Sequence, residues 1–386
     1  MPFETGWSAG TDDRVLRDLV RYWRHDYDWK RVQSDLNRLP HYRLPVEGER
    51  LHFVWYRRTG PRQPFPLLLL HGWPSSFLEY AKVAEPLMRG GAGQPGFDLV
   101  VPSLPGYVFS DAPRRPGMHP GEIADRMHEL MRTLGYRRYG VAAGDWGAVV
   151  GRDLAKAHAE AVTGLAWPGT PWVRPPKERA LTDEERAFLE AWDRFDAEEL
   201  AYFRLQSTKP QTLAYALQDS PVGLLAWVLE KFWAWSDLGP DRGRGGRNGP
   251  GDLRATLDRA DVLTPTTPYW LTGTVLSASR LYYENEHRPP TSQIAGPVAV
   301  PTLAMGFPTR SRRPRSRCWT PTASRRWSAS RRSRAAGTSR RWSSRSSGPT
   351  TCSPFLRASR NSLRVTIESN AARLTPTALR AHACRA

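Results

Sequence analysis

No cysteine occurs in the first 307 residues of this 386-residue chain; Cys318, Cys352 and Cys384 all lie beyond them. A disulfide-stapled small domain is thereby excluded, and 40% hydrophobic residues over this length suffice for one large or two ordinary domains. Long apolar runs are missing too. Nothing approaches the roughly 18 to 20 uninterrupted apolar residues of a bilayer span, and the opening MPFETGWSAG has neither a basic n-region nor an apolar h-region. These absences predict a soluble, cytoplasmic chain without a membrane anchor.

Acidic residues are scarce in one place only. Residues 308–386 hold 19 Arg, no Lys and a single acid, Glu368, whereas the preceding 307 residues carry 37 basic and 37 acidic side chains. The net charge of +18 therefore belongs to the tail and says nothing about the partners of the neutral body. Arginines interspersed with tryptophan could hold RNA or anionic surfaces without specificity, but a charge run alone is weak evidence, and no nucleic-acid partner is expected.

Periodicity divides the rest. Thr11-Asp12-Asp13 caps an amphipathic helix carrying Val15, Leu16, Leu19, Val20 and Trp23, and a second helix is predicted over Trp29–Leu39. Arg50–Arg57, Leu67–Leu70, Asp98–Pro102 and Tyr139–Ala142 read as strands, with a helix over Gly121–Leu134 between the last two. The wholly apolar Leu67–Leu70 fits a parallel strand buried on both faces, and alternating strands and helices predict an α/β fold with a parallel sheet. From Pro171 to Ala260 aromatic-rich helices suggest an inserted helical cap, broken by the Gly/Arg-rich loop Asp241–Gly251. Pro297–Phe307 reads as a late core strand. The expected organisation is an N-terminal extension (1–60), the first part of the core (61–170), a helical cap (171–261), a return to the core (262–307) and an aberrant Arg/Ser-rich tail (308–386).

Two local motifs carry chemistry. Ala143-Gly144-Asp145-Trp146-Gly147 fits the small-x-nucleophile-x-small pattern of a tight strand-to-helix turn, which presents the central side chain on a strained corner at a helix N-terminus. Here that side chain is a carboxylate. The helix dipole favours its anionic form, and attack on carbon gives an alkyl-enzyme ester that water must later hydrolyse. An Asp after a strand is, by itself, more often a helix cap. The second motif is His71-Gly72-Trp73-Pro74 after an earlier strand, where an isolated reading is a β-turn with a packed Trp. In the hydrolase architecture the backbone N–H groups of this loop and of the residue after the nucleophile, here Trp73 and Trp146, form an oxyanion hole. The two motifs in this order make the catalytic reading the stronger one.

With these motifs the chain resembles an epoxide hydrolase of the α/β-hydrolase superfamily, in the microsomal and juvenile-hormone-type branch that has an N-terminal extension. The matching stretches are Tyr22-Trp23, Tyr27-Asp28-Trp29, Leu36-Asn37, His52-Phe53, LLLLHGWPSSFLEY, VPSLPGYVFSD, AGDWGAVVG, YFRLQSTKPQTLAYALQDSPVGLLAWVLEKF and YWLTGTVLSASRLYYEN. The resemblance implies hydrolysis of a small-molecule epoxide by Asp145 and water, with no cofactor and no metal in the reaction. It also implies two cap tyrosines that hold the oxirane oxygen: by motif match Tyr202 and Tyr282, with Tyr283 competing for the second place. Phenols suit that role because they donate a hydrogen bond without a charge. A haloalkane dehalogenase would share the aspartate and the ester but hold halide with indole or amide donors; the tyrosines and the N-terminal segment argue against it.

One part of the family pattern is absent. The family places a general-base histidine in Gly-Gly-His-Phe-Ala near the C-terminus and an orienting acid in Phe-Pro-x-Glu. Here Phe307-Pro308 is followed by Thr309-Arg310, and the only downstream histidine, His382, sits in an unrelated context. The genetic code accounts for this. Ala335–Trp342 written in GC-rich codons and read one nucleotide earlier gives Arg-Gly-Gly-His-Phe-Ala-Ala-Leu, and Phe307–Ser311 likewise permits Phe-Pro-His-Glu-Ile. A frameshift from about residue 309, whether mutation or sequencing error, explains the excess of Arg and Ser, the loss of acids and the clustered cysteines. The expected consequences are a largely disordered tail, a core without its last strand and helix, an open sheet edge and impaired turnover.

Overall fold

The computed structural model describes residues 6–58, 64–91, 96–168, 180–236, 258–290, 294 and 296–305. Asp241–Gly251 and the tail from 308 onward lie outside the described residues.

The apolar segments of the sequence become one sheet. β1 (His41–Val46), β2 (Glu49–Tyr56), β3 (Phe65–Leu70), β4 (Phe97–Pro102), β5 (Tyr139–Ala143), β6 (Val162–Pro168) and β7 (Thr302–Met305) lie in the order β1-β2-β4-β3-β5-β6-β7. β4, β3, β5, β6 and β7 are mutually parallel, whereas β1–β2 and β2–β4 pair antiparallel. The sheet is thus mixed, not parallel throughout, because Glu47-Gly48 closes a tight hairpin, both residues at positive φ. β3 is central: Leu68, Leu69 and Leu70 are at most 1% exposed, as expected of a strand covered on both faces. Among the described residues β7 ends the sheet, with Leu303 57% exposed.

The parallel strands alternate with helices. A 3₁₀ turn (Phe77–Tyr80) and α3 (Ala81–Arg89) follow β3, α4 (Pro120–Thr133) precedes β5, and α5 (Trp146–Ala157) follows it. Between β6 and β7 stand α6 (Asp183–Glu199), α7 (Ala201–Thr208), α8 (Pro210–Asp219), α9 (Pro221–Trp235), α10 (Arg259–Thr272) and α11 (Val275–Glu286). This helical layer continues to Glu286, well past the boundary expected at 261, since α11 packs on α7 and α8.

The N-terminal helices α1 (Asp13–His25) and α2 (Trp29–Leu36) form where the capping residues stand: Asp12 accepts from the Arg14 and Val15 amides, and Asp28 from that of Arg31. Val15 and Leu19 of α1, with Trp7, pack against Leu225, Leu229 and Trp233 of α9 and against Val262 and Leu263 of α10. Trp7 stacks on Trp233 at 4.6 Å, and Thr11 donates to the Ala226 carbonyl at 2.7 Å. The extension therefore holds the two helices that shape the back of the cap.

Candidate active site

Five side chains singled out from the sequence come together at the C-terminal ends of β3 and β5. Asp145 follows β5 and precedes α5 with φ 52° and ψ −126°. A non-glycine residue there costs about 1–3 kcal/mol and persists only where its surroundings enforce it. The enforcement is visible at the flanking glycines. A Cβ on Gly147 would stand 2.1 Å from the Leu70 carbonyl oxygen, so α5 approaches β3 more closely than any side chain permits. Leu70 is itself fixed, accepting from the Gly144 amide at 3.2 Å and the Tyr80 hydroxyl at 2.8 Å.

The loop after β3 reaches the same point. The Trp73 amide donates to Asp145 Oδ1 at 2.9 Å, and the Trp73–Pro74 bond is cis. Gly72 lies against the carboxylate, since a Cβ there would be 2.2 Å from Oδ1. Trp146 is the first residue of α5, a position whose amide has no acceptor within its helix. Asp145 is exposed, so water and small solutes reach it.

The cap brings aromatic rings beside this carboxylate. Tyr202 of α7 stacks on Trp73 (centroids 4.9 Å apart, planes 11°), and Tyr282 of α11 stands edge-on to Trp146 at 4.8 Å. The two tyrosine rings are 6.0 Å apart. Both are buried. Burial, followed by the proximity of Tyr202, Asp145 and Tyr107, pushes the Tyr282 hydroxyl well above the usual phenol range, a side-chain hydrogen bond with Trp146 acting the other way. The group stays a neutral donor at any physiological pH. Tyr283 points elsewhere, stacked on His287 at 3.9 Å.

Several residues stand at the site in roles the sequence did not announce, among them His71 of the loop motif. Lys231 of α9, 5% exposed, holds its Nζ 5.1 Å from the Tyr202 ring centre and donates to the Glu199 carbonyl at 3.0 Å. Its charge is balanced by Glu230 at 2.7 Å and Glu199 at 3.5 Å. A lone lysine in the apolar run PVGLLAWVLEKFWAW was the available signal. His71 is fully buried, accepts from the Leu104 amide through Nε2 at 3.1 Å, and lies 3.2 Å from the Gly72 carbonyl through Nδ1. It ties the loop after β3 to the loop after β4, and burial pushes it down to about 4, so the ring is neutral. Glu79, beside the same loop, is pushed up to about 7 by burial and then by Asp145, against hydrogen bonds from Ser75 and Gly72. Tyr269 donates to the Ser75 carbonyl at 2.6 Å. The fully buried Tyr107 hydroxyl has no hydrogen-bond partner among the described residues.

A carboxylate on a strained elbow, a backbone donor behind it and buried phenols of the cap beside it fit a hydrolase of the α/β type. Residues 66–206 match the family model described as alpha/beta hydrolase fold, and residues 2–80 match the one described as epoxide hydrolase N terminus. Epoxide hydrolase 1 of Oryctolagus cuniculus is 33% identical over 300 residues, which cover 72% of this chain and 65% of that protein. The juvenile hormone epoxide hydrolase of Bombyx mori is 34% identical over 302 residues, 72% of this chain and 63% of that protein. The crystal structure of the silkworm Bombyx mori enzyme superposes with a TM-score of 0.65 at 32% identity, covering 78% of this chain and 71% of that one. The chain belongs to the epoxide hydrolase family. It spans somewhat less than two thirds of the length of the two curated relatives named. Among the described residues no helix is long and apolar enough to cross a membrane.

Proposed function

We propose that this chain opens epoxides through an ester on Asp145. The Trp73 amide holds Oδ1, which leaves Oδ2 to attack a ring carbon from the face opposite the C–O bond. As that bond breaks, the oxygen takes up negative charge and receives a proton from Tyr202 or Tyr282. In the second half-reaction water adds to the ester carbonyl, and the amides of Trp73 and Trp146 receive the oxyanion. The tetrahedral intermediate then collapses by breaking the bond to the alkyl oxygen; one proton of the added water goes to that oxygen, which departs as the diol, the other returns to the tyrosine that gave one up, and Asp145 is left as carboxylate. Membership of the epoxide hydrolase family supports the reaction class. The observation that carries the residue assignment is the strained Asp145 held by the Trp73 amide beside two buried phenols.

Water addition needs a base. The histidine and acid expected for it are absent from the sequence and recovered only in the shifted reading frame, so the chain as written forms the ester and stalls. Incubation with styrene oxide followed by intact-mass measurement tests both halves. The expected result is a lasting mass gain of one substrate, absent from Asp145→Asn. Steady diol production would refute the loss of the base; no adduct at all would refute the ester on Asp145. Halide release from a haloalkane would redirect the assignment to dehalogenation. Resequencing codons 300 to 315 from source DNA decides whether the frame is restored by one base.

A further inference from the structure

At the far end of the sheet from Asp145, one strand length away, lies a second cluster of ligating side chains. His128 projects from α4, His158 is the C-cap of α5, and Glu160 stands in the turn leading to β6. A ring nitrogen of each histidine and a carboxylate oxygen of Glu160 all lie within 4.8 Å of one another. The two imidazoles are stacked, 3.9 Å apart with 5° between planes.

The surroundings prepare these rings for a cation. His158 Nε2 is 2.7 Å from Asp125 Oδ1. A carboxylate oxygen accepts, so Nε2 donates to it and Nδ1 is the ring atom left to face an ion; this carboxylate–histidine pairing is the usual outer support of a metal ligand. That Nδ1 faces Glu160 Oε1 at 3.9 Å. The hydroxyl of Tyr139, the first residue of β5, sits 3.0 Å from His128 Nδ1, which leaves Nε2 as the ligand atom of that ring. The other charged groups bearing on the cluster are Glu129 and Arg132, which pair with each other at 3.2 Å.

We propose that His128, His158 and Glu160 form a binding site for one divalent cation of the zinc type. Tetrahedral coordination at about 2.1 Å places neighbouring ligand atoms about 3.4 Å apart. Closing from 3.9 Å asks a rotation of Glu160, whose side chain is 75% exposed, and an unstacking of the two rings, whose in-plane lone pairs run parallel as they stand and must turn to converge on one ion. Two imidazoles with one carboxylate suit zinc, nickel or copper better than magnesium or calcium, and Asp125 together with Glu160 neutralises the ion. Bound there, the cation joins α4 to the end of α5 and stabilises the folded state by mass action.

The full-length chain, stripped with EDTA, is titrated with zinc chloride by calorimetry and melted with and without zinc. One equivalent is expected to bind and to raise the melting temperature, and both effects are expected to vanish in His128→Ala/His158→Ala. Glu160→Gln, at an exposed site that leaves folding intact, should weaken binding at least tenfold, and Asp125→Asn about 10- to 100-fold. A Cys318→Ser/Cys352→Ser/Cys384→Ser variant should bind as the parent does. Equal zinc binding by the parent and Glu160→Gln, or loss of binding with the cysteines, would overturn the proposal.

Discussion

Replacing Gly72 with alanine isolates the seat of Asp145. The added Cβ would stand 2.2 Å from Oδ1, 2.4 Å from Cβ and 2.7 Å from Cγ of Asp145, whereas carbon contacts settle near ~3.5 Å. One side must therefore retreat by about 1 Å. The elbow cannot, because Gly147 is already seated against the Leu70 carbonyl, and turning the carboxylate leaves the Asp145 Cβ where it is. The loop after β3 draws back instead and gives up the bond from the Trp73 amide at 2.9 Å, a charge-assisted bond worth about 1.5–3 kcal/mol. A 1 Å misplacement of a reacting group costs about 100-fold, so both routes give the same order of magnitude. Gly72 is not among the positive-φ glycines, so alanine suits its backbone and the fold should survive. The expected result is ester formation from styrene oxide slowed about 100-fold by time-resolved intact mass, with an almost unchanged melting curve. Gly147→Ala serves as contrast: its Cβ meets backbone atoms at 2.1, 2.5 and 2.7 Å, and it should lower the melting temperature outright. Parental ester formation by Gly72→Ala would refute the view that this glycine shapes the seat.

Buried His71 sits near 4 instead of 6.5. Its contribution is complete above pH 6.5 and is lost as pH falls towards 4, a loss of about 3 kcal/mol; urea unfolding at pH 7 and 4.5 should show it, and His71→Asn with an undiminished acid dependence would contradict it. Glu79 shifts the other way, from 4.5 to about 7, so the folded state holds the extra proton and stability falls as pH rises from 4.5 through 7. Glu79→Gln should gain melting temperature over the parent at pH 8 but not at pH 4, and a pH-independent difference would rule the shift out. Tyr282→Phe, which deletes a buried donor while keeping the ring against Trp146, should slow ester formation at least tenfold without lowering the melting temperature by more than a few degrees; an unchanged rate would remove Tyr282 from the reaction.

The helices and strands that the sequence announced were those whose signal is local. Leu67–Leu70 is a short apolar run with nowhere to go but the centre of a sheet, and Asp12 announces α1 through its cap. β1 and β6 were not legible: His41–Val46 contains a proline and no alternation, and it becomes a strand because β2 lies beside it. The elbow and the loop after β3 were legible because each is a turn whose small residues are dictated by what lies against them, the Leu70 and His71 backbone at Gly147 and the Asp145 side chain at Gly72.

The cap residues belong to a different class, because their place depends on which helix face meets the site. Tyr282 against Tyr283 is a question of phase, and α11 contains the answer: Val275, Ala278, Ser279 and Tyr282 are buried at spacings of i, i+3, i+4 and i+7, which puts Tyr283 off the stripe. Lys231 could be flagged as a charge in an apolar helix, but not assigned, since its value lies in three elements that fold together. Its Nζ is held by α6 through Glu199 and stands over the ring of Tyr202 on α7. The N-terminal extension packs behind α9 through Trp7 on Trp233, so the place of the Lys231 ammonium over that ring depends on segments far apart in the sequence, and no local pattern could announce it.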